Sequence, residues 1–102
     1  MPRDAQRELV DLEEVFAALA HASRRQILFV LKLHGGSMGA GEIATRFECS
    51  WPTTTRHLKQ LERAKLIRVE KAGRERIYQL DVDRLEAVAG AWLRRFDRKV
   101  DS

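Results

Sequence analysis

A single cysteine, Cys49, occurs among the 102 residues. No disulfide can form within the chain, and an unstapled fold suits a reducing cytoplasm. Histidine is scarce too: His21, His34 and His57 are scattered, and residues 83–102 contain none. Soft-metal sites need several Cys or His ligands placed together, so neither a metal nor another cofactor is expected. No carboxylate pair, nucleophile–base pair or ligand cluster gathers in one predicted cleft, which argues against an enzyme. The longest apolar run, Ile27 to Leu31, falls far short of the ~20 residues that span a bilayer. The start, Met-Pro-Arg-Asp, is charged and lacks the apolar core of a signal peptide. Internal repeats, low-complexity segments and linkers are also missing. These absences leave a soluble, cytoplasmic, non-catalytic protein with no membrane partner.

What is present is a chain of one-domain length with 44% hydrophobic and 33% charged residues, enough for a modest core under a polar surface. Its net charge of +4 is unevenly spread. Between Trp51 and Arg76 eight Lys/Arg stand against three Glu, whereas Met1 to Glu14 holds two Arg against five acids. A basic excess confined to mid-chain is an electrostatic footprint for a polyanion.

Hydrophobic spacing predicts the elements. Leu12, Val15, Phe16 and Leu19 fall at i, i+3, i+4 and i+7, giving a helix over Asp11–Ala20, with Leu9 as a possible extra turn. Ser23 suits the cap of a second helix, Arg24–Leu33, whose Ile27, Leu28, Val30 and Leu31 make it the central core helix. His34-Gly35-Gly36 ends it. A short helix follows over Glu42–Phe47. Gly39-Ala-Gly41-Glu-Ile-Ala44 superficially matches a dinucleotide fingerprint but has no predicted strand or βαβ unit around it, so it reads as a flexible loop into that helix. From Ile67 the period changes to two, and Ala72-Gly73-Arg74 turns a hairpin that carries Lys71, Arg74 and Arg76 at its tip. Asp83 to Glu86 matches a capping box, after which Leu85, Val88, Ala89, Trp92, Leu93, Phe96 and Val100 hold helical spacing.

The stretch from Cys49 to Ile67 organises the rest. Ser50 can cap a helix and Pro52 is tolerated in its first turn. Thr54, Leu58 and Leu61 line one side, with Leu66 closing the helix. Thr53, Thr55, Arg56, Lys59 and Arg63 occupy the other, and hydroxyl and cationic side chains of that kind reach phosphates and base edges in a major groove. A short helix, a tight turn and a second helix make helix-turn-helix grammar.

The segment Leu19-Ala-His-Ala-Ser-Arg-Arg-Gln-Ile-Leu28 resembles "LADPTRRxIL" of the ArsR/SmtB-type bacterial repressors. Gly41 to Ala44, Ser50-x-Pro-Thr-x-x-Arg-His-Leu58 with Leu61, Ala64-Lys-Leu-Ile67, Gly73-Arg74 and Tyr78-x-Leu80 extend the likeness over roughly residues 9–96. The resemblance implies one winged helix-turn-helix domain over 1–102 (α-α-α-α-β-β-α), with 1–8 and 97–102 as terminal extensions. It also implies a homodimer joined through the first and last helices, with double-stranded DNA as partner. The reading is a sequence-specific repressor on an inverted repeat, with release left open between an unidentified small-molecule effector, a protein effector and simple dilution.

The residues assigned to DNA are Trp51, Thr53, Thr55, Arg56, His57, Lys59, Arg63, Lys71, Arg74 and Arg76. Arg56 is the best candidate for reading guanine, and Trp51 either packs on the hairpin or meets a thymine methyl. The dimer interface is assigned to Leu12, Val15, Phe16, Leu19, Leu85, Val88, Ala89, Trp92, Leu93 and Phe96. The chain departs from metal-sensing relatives, which carry a Cys pair on the helix before the turn or ligands on the last helix. Cys49 precedes a helix N-terminus but has no resolving partner in the chain. Two alternatives stay open: a winged-helix module for an acidic protein partner, and a metal- or thiol-responsive repressor.

Overall fold

The computed structural model describes residues 3–98. Helix α1 runs Arg3–Leu19, starting well before the expected Asp11. Arg, Ala, Gln, Glu and Leu in its first turns are all strong helix formers, yet only Val15 and Ala18 near its end are buried. Its first half projects from the core, so periodicity had no buried face to reveal there. Residues 3–8, expected as a terminal extension, are helical.

Helix α2 spans Ala22–Leu33 and buries Ile27, Leu28 and Leu31. Its cap is His21, not Ser23: the backbone at His21 is extended, and its Nδ1 accepts from the Ser23 N–H at 3.1 Å. The expected stop is present, with Gly35 and Gly36 both at positive φ and the Gly36 N–H bonding Leu31 O at 2.8 Å. A short strand, β1 (Ser37–Gly39), follows where a loop was expected. Three residues, the last a glycine, are too few to show an alternating pattern, and β1 is held by pairing with a partner strand. Helix α3 covers Ala40–Arg46, starting earlier than Glu42, and Glu42 Oε1 accepts from the Gly39 N–H.

Helix α4 (Trp51–Arg63) is capped by Ser50 as anticipated. It stops before Leu66 because Lys65 takes a left-handed φ of 62°, letting the Leu66 N–H return to Leu61 O at 3.0 Å. This is the closure usually made by glycine, so a lysine gave no sequence cue. Leu66 and Ile67 then drop into the core. Strands β2 (Ile67–Ala72) and β3 (Glu75–Leu80) form the hairpin around Gly73, whose φ is +65°. The antiparallel sheet has the order β1-β3-β2, with Tyr78 paired to Met38 on one side and Val69 on the other. A preceding strand thus stands before Gly39-Ala-Gly41, but in an antiparallel sheet and without a βαβ unit.

The C-terminal helix begins at Asp81, whose Oδ1 accepts from the Arg84 N–H at 3.0 Å. The cap therefore lies two residues ahead of the expected Asp83, and Glu86 pairs forward with Arg94 instead of reaching back. α5 (Val82–Leu85), a π-helical turn (Glu86–Gly90) and α6 (Ala91–Arg94) form one segment. Phe96 lies beyond its end, and Val100 lies outside the described residues. Among the described residues no helix is long and apolar enough to cross a membrane.

One core joins these pieces: Val15, Leu31, Met38, Ile43, Leu58, Leu61, Leu66 and Ile67 are its enclosed large side chains. Arg84 ties it to the terminal segment. Its Nη2 meets Asp11 Oδ1 of α1 at 3.3 Å, and its Nε donates at 3.2 Å to Ala64 O, an orphan carbonyl at the end of α4. Both ion-pair partners keep some solvent, so screening limits the pair's worth. Arg84→Ala is expected to cost about 1–2 kcal/mol, chiefly from the unmet carbonyl and carboxylate. A lower urea midpoint at unchanged slope would show it.

Candidate nucleic-acid interface

Helix α4 has one enclosed side. Thr54, Leu58 and Leu61 are at most 2% exposed, and this buried row fixes the helix's rotation. Arg56, Lys59 and Arg63 consequently stand in solvent, with Thr53 and His57 at the margin. The first turn is ordered by side chains: Ser50 Oγ accepts from the Thr53 N–H at 3.4 Å and donates to Thr53 Oγ1 at 3.0 Å. Arg56 Nη2 then donates to the same Oγ1 at 3.3 Å. The guanidinium is held near the helix N-terminus with most of its five N–H donors uncommitted.

The hairpin stands beside that end of α4. An open groove of about 720 Å³ separates them, lined by Trp51 and Thr55 of α4, the start of α3, and Ala72, Arg74, Glu75 and Arg76. Trp51 faces the hairpin across this groove yet remains 40% exposed, so its packing there is partial. Thr55 departs from its assigned role. Its Oγ1 is shut off from solvent without a hydrogen-bond partner, so the hydroxyl is not displayed toward a base or phosphate. On the wing, Lys71 lies directly opposite Arg76 in the strand register, and both are exposed. Like charges directly opposite destabilise a sheet. Glu75 is turned away over α3: a Cβ at Gly39 would sit 1.9 Å from its Oε1. Among the described residues the ion pairs Arg84–Asp11 and Arg94–Glu86 both lie at the C-terminal helix, and neither involves a cation of α4 or the hairpin.

A second surface lies across α1 and the C-terminal helix. Phe16 and Trp92 meet edge-on at 5.2 Å between ring centroids, and Trp92 meets Phe96 at 4.9 Å. Leu9 and Leu93 on these two helices, and Phe96 itself, are about half to two-thirds exposed. Two residues assigned to the dimer interface belong to the subunit's own core instead: Val15 is 0% and Ala89 5% exposed. Leu12, Phe16, Leu19, Leu85, Val88 and Trp92 are half-buried.

A helix-turn-helix domain family matches residues 19–70. The chain is 35% identical over 91 residues to the transcriptional repressor SdpR of Bacillus subtilis, spanning 89% of this chain and 98% of that protein. It superposes on an ArsR-like transcriptional regulator from Rhodococcus sp. RHA1 with a TM-score of 0.66 at 31% identity, covering 85% of this chain and 87% of the other. The winged helix-turn-helix domain Mb0332 of Mycobacterium bovis shares the fold at a TM-score of 0.73 and 23% identity, covering 100% of this chain and 93% of that one. The chain belongs to the ArsR-type winged helix-turn-helix family of transcriptional regulators. It falls in a family of regulators, not of enzymes.

Within this ArsR-type frame, no group of three His, Cys, Asp or Glu side chains that could hold a metal ion occurs among the described residues. Cys49 is exposed. Two groups that matter here escaped the sequence reading. Arg24 clamps the end of α1 by donating to Ala18 O at 2.7 Å and Ala17 O at 3.1 Å, and its Nη1 lies 3.4 Å from His57 Nδ1. The His21 ring lies against His57 with centroids 4.4 Å apart and the planes tilted by 49°. The meeting of Arg24 and His21 with His57 gives no periodic signal, because it joins residues more than thirty positions apart.

This crowding acts on His57. Burial, then the neighbouring His21, Arg24 and Arg56, hold its pKa below the ordinary 6.5. A histidine with a depressed folded-state pKa favours folding in its neutral form. Its contribution is full above the unfolded value and fades as pH falls through 6.5 toward the folded value. The melting temperature of the free protein should drop on acidification through that window. His57→Asn should remove His57's share of the drop, which parallel melts at pH 7.5 and pH 5.5 would reveal.

Proposed function

We propose that this ArsR-type regulator works as a homodimeric repressor on an inverted repeat in duplex DNA. Helix α4 enters the major groove, and the β2–β3 hairpin lies against the flanking minor groove or its phosphates. The observation that carries this reading is the outward face of α4. Arg56, Lys59 and Arg63 stand in a row behind which Thr54, Leu58 and Leu61 are locked, and among the described residues no carboxylate pairs with any of them. The like-charged Lys71 and Arg76 on the wing point to the same partner, since an anion would relieve their repulsion. Arg56, steadied by Thr53, is the group suited to a guanine's O6 and N7, whereas Lys59 suits a phosphate.

Dimerisation is supported by the row Phe16, Trp92 and Phe96 with Leu9 and Leu93, an apolar patch wider than a lone subunit covers. The Mycobacterium bovis domain is homodimeric. Two-fold pairing would set the two α4 helices about 34–36 Å apart, one DNA turn. Blocking polymerase then follows from occupancy. Release by a small molecule or partner protein would act through the same interface.

Arg56→Ala is expected to cost about 1–3 kcal/mol on the specific site and relax discrimination at one base pair, while Lys59→Ala weakens all sequences alike. Anisotropy titrations on specific and scrambled duplexes separate the two. If Arg56→Ala leaves both affinity and discrimination intact, the face assignment is wrong. Wild-type affinity should fall about 10³–10⁵-fold between 50 and 200 mM salt, and competitor DNA, not an acidic protein, should displace it. Replacing both Leu93 and Phe96 by Glu should yield monomers in sedimentation with melting temperature largely kept and specific DNA affinity lost. A dimer that survives both charges would move the interface elsewhere.

A further inference from the structure

The adjacent, tilted rings of His21 and His57 have their proton positions dictated by their neighbours. The Ser23 backbone N–H donates to His21 Nδ1 at 3.1 Å, so that nitrogen supplies a lone pair. Arg24 can only donate, so its Nη1 contact at 3.4 Å makes His57 Nδ1 an acceptor as well. A neutral imidazole that accepts at Nδ1 carries its hydrogen on Nε2. Both rings, 4.4 Å apart, are therefore N–H donors at Nε2, and among the described residues neither Nε2 has a hydrogen-bond partner. This arrangement is unsuited to a metal, which needs the lone pair that protonation removes. The side chains gathered around His57 are His21, Arg24 and Arg56, with no carboxylate among them. Two adjacent donors in a cationic setting fit an acceptor-only anion. His57 sits on the flank of α4, next in sequence to Arg56, with the His21 ring against it, so the anion at hand is a backbone phosphodiester.

We propose that His21 and His57 together clamp one DNA phosphate beside the recognition helix, bringing the α1–α2 turn into the interface as a contact separate from the helix face and the wing. The clamp rests on the DNA-binding reading above. It also gives His21 a purpose beyond capping. The segment this stretch resembles, LADPTRRxIL, has Asp at that position, which would cap α2 equally well but offers no donor.

Two variants separate the two duties of His21. H21N keeps an acceptor near Nδ1 and so keeps the cap, but loses the Nε2 donor. H21Q keeps an amide N–H near Nε2 but loses the cap. H21N should bind every duplex about tenfold more weakly, the worth of one net hydrogen bond to a charged group. Its melting temperature should not move. The slope of log affinity against log salt should also stay at the wild-type value, because a neutral donor displaces no counterion. H21Q should show the reverse, with affinity near wild type and a lower melting temperature. H21N binding like wild type would overturn the clamp. So would a salt slope reduced by about one, which marks a cationic contact, or a fall in melting temperature that accounts for the loss. A wild-type protein that ignores every duplex would instead sink the DNA reading, and the clamp with it.

Discussion

The rotation of helix α4 about its own axis is the constraint on which the cationic surface depends. Leu58 and Leu61, with Thr54 one turn earlier, are enclosed by the core. A helix turns about 100° per residue, so burying those three leaves Arg56, Lys59 and Arg63 no other direction than outward. Close packing makes that rotation stiff, since a turned helix would expose two leucines and bury cations. Ser50 fixes where the helix begins, and Lys65, in a left-handed conformation, fixes where it ends. The cationic face is thus a consequence of apolar packing behind it.

The surroundings of α4 are arranged around the same geometry. The sheet holds the hairpin next to its N-terminal end, leaving a groove floored by small residues of α3 and edged by Trp51. Glu75, the one acid at the wing tip, folds back over Gly39, where only a hydrogen in place of a side chain leaves room for its carboxylate. The tip is left with uncompensated positive charge. On the other flank Arg24 joins three elements, taking up the terminal carbonyls of α1, starting α2 and facing His57 of α4. The Thr55 hydroxyl is enclosed without a partner beside the groove.

The terminal helices show a different economy. α1 and the C-terminal segment share Val15 and Ala89 with the core, then leave Leu9, Leu93 and Phe96 standing out. A π-helical turn at Glu86–Gly90 shifts the phase of the C-terminal helix, so the residues after it face differently from where a uniform period would put them. This is why a stripe that looked continuous in sequence divides into core and surface in space. Arg84 holds the segment in place through Asp11 and Ala64.

Much of this was legible from the chain alone. Ser50, Leu58 and Leu61 announced α4 and its buried side, alternation after Ile67 announced the hairpin, and the mid-chain excess of Lys and Arg announced a polyanion. These signals are local, because helix and strand periods and caps act over a few residues. What the chain could not show depends on distant partners. Strand β1 needs β3 to exist, His21 caps α2 while lying against a ring from α4, and the Thr55 hydroxyl is enclosed once the elements pack. The identity of the elements came from short-range periodicity. Which side chains remain free to meet a partner was decided only when those elements packed together.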